Sequence, residues 1–332
     1  MFEPISRLLR YLKGVVFTGD DSSSPSKVET AGSRFGQLSE LRQRNEFVQS
    51  APFWLPWFLL AGLFVYGAVG WNLLMSLTDY EKFGPVDYSS LDLEMYGKAF
   101  TSSAFISAAR NTIILLVVFT VVCLLLGLIL AILIDRNIRF EDGFRNIYLL
   151  PMSLSFVVTA QFWLWMYNFD NGIVNLTFGL FGLGPYDWIG NPKLVLGAVI
   201  FALIWQFSGY TMVVYLAALR GIPTEHYEAA KVDGASTVRM YWRVIIPQLK
   251  NATISASVLL MVFALKAFDF LYSLVGGYRP PKGADILATL MVREAFQEKN
   301  WAYGSTVAMV LFVMALVIIG PYLYYQHRQG VL

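Results

Sequence analysis

Charged residues are scarce in this sequence. Aspartate, glutamate, lysine and arginine make up 14% of the 332 residues, whereas they make up about a quarter of an ordinary soluble domain. The net charge is only +2, and no run of lysines and arginines is long enough to form a phosphate-binding patch. These shortages argue against a soluble protein and against a nucleic-acid partner. The hydrophobic content of 56% is instead typical of a membrane protein.

Metal ligands and nucleotide motifs are sparse as well. Cys123 is the only cysteine, which excludes an internal disulfide and a cysteine-based metal cluster. The two histidines, His226 and His327, lack ligand-like spacing, so we predict no metal site. No stretch matches the phosphate loop G-x-x-x-x-G-K-[ST]. These shortages argue against a metal site and against ATP hydrolysis by this chain.

Six apolar stretches are long enough to cross a bilayer, which requires about 20 residues. They cover residues 52–77, 111–134, 147–169, 194–219, 254–275 and 303–325. The first begins too far from the N-terminus to be a cleavable signal peptide, so we expect the N-terminus to be retained. The sequence predicts an all-α polytopic membrane protein with six transmembrane helices.

The distribution of lysine and arginine predicts the orientation, because cytoplasmic connections carry the excess. One side of the predicted topology holds sixteen of these residues and the other eight, with Lys266 inside a span. Both termini are therefore expected in the cytoplasm. We divide the chain into an N-terminal extension, residues 1–51, and a transmembrane domain, residues 52–332.

The extension begins with an amphipathic stretch at residues 4–17, followed by a flexible polar linker. Its apolar residues repeat at helical spacing: Ile5, Leu8, Leu9, Leu12 and Val16. Two interpretations remain open, since both bury the same stripe. The stretch either lies on membrane lipid as an interfacial helix or packs on a partner subunit.

The longest cytoplasmic connection, residues 219–250, is too polar to span, and we call it the docking loop. Thr224 is a plausible helix start, Gly234 suits a left-handed turn, and Ser236 can cap a second helix. Pro247 marks the entry to the fifth span, where a first-turn proline loses no helix bond. The prediction is a helix, a tight turn and a helix. Small residues beside the turn leave room for a partner's backbone, and larger residues give the second helix an apolar side: Ala229, Ala230 and Ala235, then Met240, Tyr241, Val244 and Ile245.

The spacing in this loop resembles a known signature. Glu228-Ala229-Ala230, Asp233-Gly234-Ala235 and Pro247 match the "EAA" motif of the membrane subunits of binding-protein-dependent ABC importers. The end of the motif usually reads Ile-x-Leu-Pro and here reads Val-Ile-Ile-Pro, a conservative departure. Further similarity to sugar importers of the maltose and glycerol-phosphate type extends along the chain, at Asn111-Thr112, Phe268-Asp269, Gly276-Gly277 and Tyr303-Gly304.

The resemblance implies a type I ABC importer permease in a prokaryotic plasma membrane. In that family the loop inserts into a cleft of a separate ATPase subunit, with the acidic residue, here Glu228, facing the ATPase. The chain itself would then bind no cofactor and would not be an enzyme, and ATP and Mg²⁺ would bind to partner subunits. The other implied partners are a second, similar membrane subunit, a second ATPase, an external solute-binding protein and a sugar.

Polar residues inside the spans are candidates for contacting that sugar, because they are costly in lipid and usually face a cavity or a partner. Lys266 and Asp269 lie three residues apart in the fifth span, and a second interpretation is that they pair on one helix face for structural reasons. The fourth span offers Gln206, a close-approach glycine at Gly209, and Tyr210, which can stack on a sugar ring. Tyr210 is the first choice, followed by Phe263 and Lys266. Another polar and aromatic group fits an interfacial belt instead: Gln161, Trp163, Trp165, Tyr167 and Asn168.

Three alternatives compete with the importer. An ion-coupled secondary carrier would more commonly place buried acids in several spans, whereas only Asp269 is available. An integral membrane transferase would need a carboxylate cluster, to which Asp79, Glu81 and Asp87 come nearest. The loop could also be a plain amphipathic hairpin on the membrane surface. The spacing of its motif argues against all three.

Overall fold

The structure is a computed structural model that describes residues 50–81, 85–89, 91–135 and 140–328. The predictions for residues 4–17 and for most of the N-terminal extension lie outside these residues. The chain divides into two compact units, one ending at Ala68 and one beginning at Val69. In the described part of the chain, the only strand-type pairing is an isolated bridge between Glu81 and Asn300.

We number thirteen helices of the described ranges in chain order and leave a three-residue helical turn, Ile246–Gln248, unnumbered. They are α1 (Ser50–Ser76), α2 (Glu94–Thr101), α3 (Ser103–Asp135), α4 (Glu141–Leu149), α5 (Phe156–Met166), α6 (Ile173–Gly179), α7 (Val195–Arg220), α8 (Thr224–Val232), α9 (Thr237–Met240), α10 (Lys250–Leu265), α11 (Phe268–Val275), α12 (Leu287–Val292) and α13 (Trp301–Arg328). Wider π-helical turns follow α9 at Tyr241–Ile245 and α12 at Arg293–Gln297.

Four single helices are long and apolar enough to cross a membrane: α1, α3, α7 and α13. Two bent pairs bring the number to six if each pair counts as one span. The first pair joins Glu141–Ser153 to α5 at 102°, and the second joins Thr237–Gln248 to α10 at 66°. The predicted all-α membrane fold is confirmed, but the third and fifth spans are not straight helices.

The bend in the third span has a local cause. Pro151 lacks a backbone donor, so the chain tightens into a 3₁₀ turn at Leu150–Ser153 instead of continuing as an α-helix. Ser155 then starts α5 anew, its hydroxyl accepting a hydrogen bond from the amide of Val158 at 3.3 Å. The third span predicted over residues 147–169 is therefore a bent pair of helices and not one straight helix.

The fifth span is interrupted twice. Pro247 lies just before the bend that separates the docking loop from α10. A second break falls between α10 and α11, where Lys266 caps the end of α10 and Ala267 the start of α11, both with ψ angles near those of a turn. The fifth span predicted over residues 254–275 is therefore broken at this point, and no sequence feature at Lys266 or Ala267 explains the break.

The core of the second unit lies where α3, α5, α7, α10 and α11 meet. Its largest fully buried side chains include Phe119, Leu203, Leu260 and Phe270. The helices α3 and α7 pack closely at Gly127, where an added Cβ would lie 2.3 Å from the Thr211 hydroxyl. That hydroxyl donates to the carbonyl of Cys123 on α3 at 2.9 Å, an inter-helix bond of the kind that holds membrane helices together.

Candidate functional site

The docking loop has the predicted helix, turn and helix. The first helix, α8, starts after Pro223 and ends in a left-handed Gly234 with φ of 70°. The amide of Ala235 donates to the carbonyl of Ala230 at 3.0 Å and the amide of Gly234 donates to that of Lys231, which is the Schellman arrangement. Ser236 then caps α9, its hydroxyl accepting from the amide of Arg239. Local chemistry alone therefore sets the shape of this loop.

One face of the docking loop packs inward on the ends of α3 and α7. Ala230, Met240 and Ile245 are buried there, in one cluster that also contains Ile134, Leu216 and Leu219. Ala235, Tyr241 and Val244 are partly buried against the same cluster. The apolar side predicted for the second helix therefore holds the loop to the spans. Of the three small residues, Ala229 is exposed, Ala235 is partly buried and Ala230 is buried.

The opposite face points away from the spans. Glu228, Asp233 and Gly234 are exposed there. Three large apolar side chains are also 73% to 87% exposed, and the sequence analysis missed them: Val232, Val238 and Trp242. Val232 lies one turn after Glu228, and Trp242 one turn after Val238, so each pair shares a side of its helix. This i, i+4 spacing is the sequence signal that could have identified the three exposed apolar residues.

A polar network lies beneath the loop. Arg220, the last residue of α7, forms an ion pair with Glu141, the first residue of α4. Asp135, the last residue of α3, accepts a hydrogen bond from the side chain of Tyr241 in the loop. The ring of Tyr241 meets that of Tyr227 on α8 edge-on, with centroids 6.4 Å apart. Burial, with smaller effects from Asp135 and Tyr241, raises the pKa of Tyr227 to about 12, so it stays a neutral donor. These contacts join the docking loop to the ends of three spans.

The residues predicted in the fourth span lie inside the core. Gln206 is buried, and its amide donates to the carbonyl of Leu154 at 2.8 Å, beside the break before α5. Its side-chain oxygen has no hydrogen-bond partner. A Cβ added to Gly209 would lie 1.8 Å from the carbonyl oxygen of Tyr148. The space beside Gly209 is therefore occupied by α4, and the prediction that this glycine admits a ligand is wrong.

The remaining candidates divide into a buried and an exposed group. Tyr210 is half-buried against the core, and Phe263 packs its ring 4.7 Å from that of Phe207. Lys266 and Asp269 are both exposed, on either side of the break between α10 and α11. Among the described residues, no ion pair joins these two, so the alternative in which they pair on one helix face is wrong. The break instead leaves one cation and one anion free at the surface of the chain.

The belt predicted at the end of α5 is only partly correct. Trp165 is 72% exposed, as an interfacial anchor would be. Trp163 and Tyr167, however, are buried in the core, where the Tyr167 hydroxyl donates to the carbonyl of Ala198 at 2.9 Å.

A polar cavity of about 850 Å³ opens at the end of the second unit that lies opposite the docking loop. Arg293 and Asp285 form a nearly buried bidentate pair on its wall, at 3.1 and 2.9 Å. Asn111, near the start of α3, donates to the carbonyls of Lys282 and Asp285 at 3.1 and 2.9 Å. Burial raises the pKa of Glu294, which also lines this cavity. The sequence analysis identified Asn111 by resemblance but not the charged wall it supports.

The acidic residues at the same end do not group as predicted. Asp79 lies with Asp92 and Glu94, and the three exposed carboxylates come within 4.8 Å of one another. Asp87 instead accepts hydrogen bonds from the backbone and the hydroxyl of Ser89, at 2.8 and 2.6 Å. We assign no metal or catalytic role to these exposed groups.

Comparison with known proteins gives consistent results. Residues 123–331 match the family model described as binding-protein-dependent transport system inner membrane component. The chain is 61% identical over 297 residues to a xylose/arabinose import permease protein of Haloferax volcanii, covering 89% of this chain and 94% of the relative. It is 48% identical to a probable ABC transporter permease protein of Pyrococcus horikoshii, covering 83% and 94%.

A crystal structure of a bacterial ABC transporter that imports the polysaccharide alginate has the same fold. The TM-score is 0.72 at 23% identity, covering 88% of this chain and 99% of the other.

Proposed function

The chain belongs to the family of binding-protein-dependent transport system inner membrane components and is a multi-pass permease subunit of an ABC importer; on that basis we propose that its substrate is an aldopentose such as xylose or arabinose. The observation that carries this proposal is the 61% identity, along 89% of the chain, to a permease that imports these two sugars. Substrate-contacting residues change more readily than the fold, so identity of this extent favours a substrate of the same class.

The sugar pathway passes the break between α10 and α11. Lys266 and Asp269 are charged, exposed and unpaired with each other there, although charged groups are costly in lipid. Both can hydrogen-bond sugar hydroxyls. Gln206 adds an unpartnered oxygen, and Tyr210 and Phe263 add rings on which a sugar can stack. Gly209 is left out of this set because α4 covers it.

The docking loop binds a separate ATPase subunit. Its inward face is fixed to the spans, and its outward face combines the carboxylates of Glu228 and Asp233 with exposed Val232, Val238 and Trp242. An apolar centre with a charged rim is the usual make-up of a protein interface. The chain has no phosphate loop, so ATP and Mg²⁺ bind to the partner.

The polar network carries movement of the loop into the spans. Asp135 and Tyr241 connect the loop to α3, while Arg220 and Glu141 connect α7 to the bent third span. These residues position helices and do not touch the substrate.

The assembly contains this chain, a second similar membrane subunit, two ATPases and a solute-binding protein. The count of lysines and arginines supports cytoplasmic termini and a cytoplasmic docking loop. The polar cavity then opens outward, on the side where a binding protein delivers sugar. In the alginate transporter, a structure has been solved with a substrate-bound periplasmic protein.

Reconstitution tests the substrate. Vesicles that contain the assembled complex and internal ATP, with binding protein outside, are given labelled xylose, arabinose, maltose or glucose. We expect ATP-dependent uptake of xylose and arabinose, reduced by Asp269→Asn. ATP-driven uptake of maltose alone would contradict the pentose proposal. Uptake driven by an ion gradient with no ATPase would instead favour a secondary carrier.

Co-purification tests the docking loop. Glu228→Lys, Gly234→Asp and Trp242→Ala should each leave the chain in the membrane but reduce the amount of ATPase that purifies with it. Trp165→Ala is the matched control, because Trp165 is 72% and Trp242 73% exposed and Trp165 lies on α5, outside the docking loop. Equal ATPase recovery with both tryptophan variants would remove Trp242 from the interface.

A further inference from the structure

The connection between α5 and α7 ends in an apolar tip. We call residues 169–186 the apolar hairpin; it contains α6 and lies at the opposite end of α7 from the docking loop. No charged residue occurs between Asp170 and Asp187. An uncharged run of sixteen residues, 171–186, inside a connection is unusual, because connections that run through water are commonly polar.

The backbone of the apolar hairpin satisfies its own hydrogen bonds. Gly182, with φ of 74°, ends the helix in a Schellman arrangement: the amide of Leu183 donates to the carbonyl of Phe178 at 3.1 Å, and that of Gly182 to Gly179 at 3.0 Å. The amides of Leu180 and Phe181 donate to carbonyls within the same turn. These amides therefore do not depend on water.

One buried side chain fixes the base of the hairpin. The amide nitrogen of Asn175 donates to the carbonyls of Phe169 and Tyr186 at 3.1 and 2.9 Å. Its oxygen accepts from the amide of Tyr186 at 3.1 Å and from the indole of Trp188 at 2.8 Å. Both amide hydrogens and both lone pairs of the side-chain oxygen are therefore used in hydrogen bonds. The ring of Phe178 packs against those of Tyr186 and Trp188, so the hairpin has a defined shape.

That shape presents apolar side chains outward. Leu180 is 84% and Phe181 77% exposed, and the exposed surface extends over Ile173, Leu176 and Leu183. It continues along α5, where Val158, Phe162 and Trp165 are exposed on the membrane-spanning segment itself.

We propose that the apolar hairpin inserts its tip, Leu180 and Phe181, into the membrane–water interface and that its partner is lipid. The tip has no charge for a protein partner to pair with, and its backbone amides are already bonded. A protein docking surface would instead offer charged or hydrogen-bonding groups around an apolar centre. Continuity with the exposed side of α5, and the Tyr186 and Trp188 rings at the base, match the arrangement of interfacial anchors.

Spin-label accessibility tests this insertion. Leu180→Cys and Phe181→Cys are introduced singly into the full-length chain with Cys123→Ala, labelled with a nitroxide, and reconstituted with partner subunits in phosphatidylcholine and phosphatidylglycerol vesicles. Lys193→Cys is the aqueous control, because Lys193 is an exposed charged residue at the same end of α7. Lipids with nitroxides at known acyl-chain carbons calibrate depth.

We expect labels at 180 and 181 to collide with dissolved oxygen and to be protected several-fold from a water-soluble nickel chelate relative to the label at 193. Nickel access equal to that at 193 would overturn the proposal. Nickel access that disappears only when the solute-binding protein is added would also overturn it, and would assign the tip to that protein. Unfolding temperatures close to that of the Cys123→Ala parent would verify that the labels report on the native hairpin.

Discussion

Replacing Gly209 by alanine should destabilise the folded chain by about 2 kcal/mol. The added Cβ would lie 1.8 Å from the carbonyl oxygen of Tyr148 and 2.6 Å from its carbon, and real Cβ contacts are essentially never closer than 3.0 Å. The helices α4 and α7 must therefore separate by about 1.2 Å, the difference between 3.0 and 1.8 Å. Overpacking of this kind costs about 1 to 3 kcal/mol, and a backbone carbonyl cannot rotate away. Alanine has a higher helix propensity than glycine, which offsets up to about 1 kcal/mol of this cost. Taken from the upper end of the overpacking cost, about 3 kcal/mol, this leaves a net loss of stability near 2 kcal/mol.

A matched substitution separates packing from helix propensity. Gly197 lies on the same helix with nothing within 4 Å of its Cβ position. Gly197→Ala should therefore be neutral or stabilise by up to about 1 kcal/mol. The assay is reversible unfolding in mixed micelles, with sodium dodecyl sulfate as denaturant and helix content as signal, together with labelled sugar binding.

The two interpretations of Gly209, contact with the ligand and close packing against α4, predict opposite results. If Gly209→Ala is as stable as Gly197→Ala but the complex loses sugar binding, the glycine faces the ligand and the packing argument is refuted. Loss of stability with unchanged sugar affinity in the remaining folded protein would support the close approach of α4.

Three further predictions follow from the charged and polar contacts. Glu141→Arg should lower the sugar transported per ATP hydrolysed without reducing ATPase recovery. Combining it with Arg220→Glu should restore the ratio, because the reversed ion pair can still form. A double variant no better than the single variant would contradict the positioning role. Asp285→Ala should destabilise the chain by about 3 to 5 kcal/mol in mixed-micelle unfolding, because it leaves Arg293 nearly buried and unpaired. An effect under about 1 kcal/mol, which is typical of a surface ion pair, would show that water reaches Arg293. Asn175→Ala should increase proteolysis within the apolar hairpin without changing ATPase recovery, because it removes four hydrogen bonds from the base; unchanged proteolysis would mean that ring packing alone holds the hairpin.

The sequence predicts the class and the number of spans because hydrophobic length is a property of each segment alone. It does not predict the course of the third and fifth spans. Pro151 signals an interruption, but the 102° angle depends on how α5 packs against α7 and α11 afterwards. The break at Lys266 has no local signal, so tertiary packing must decide it.

The docking loop shows the same division between local and tertiary information. Gly234 and Ser236 specify the turn and the cap through their own backbone and hydroxyl chemistry. Which face of the loop packs inward depends on residues far away in the chain, such as Ile134 and Leu216. Alanines at 230 and 235 are compatible with either face, which is why their burial could not be predicted.

Gly209 illustrates the limit for the substrate site. A glycine in the middle of an apolar span marks a close approach, but not the identity of the approaching group. Here the approaching group is the carbonyl of Tyr148, more than sixty positions earlier in the sequence. Gln206 is a comparable case, since its polar side chain bonds the irregular turn at Leu154.

The helix α3 is long enough to connect the two faces of the membrane. Its 33 residues contain no proline, and at 1.5 Å per residue it is about 50 Å long, well beyond the roughly 30 Å of hydrocarbon. Asn111 bonds it to the wall of the polar cavity, and Asp135 bonds it to the docking loop. These two anchor points lie about 36 Å apart along the axis, so a tilt of about 5° at one displaces the other by about 3 Å. A straight helix of this length can therefore transmit a displacement from the polar cavity to the docking loop as a rigid body. No sequence of side-chain rearrangements through the core is needed.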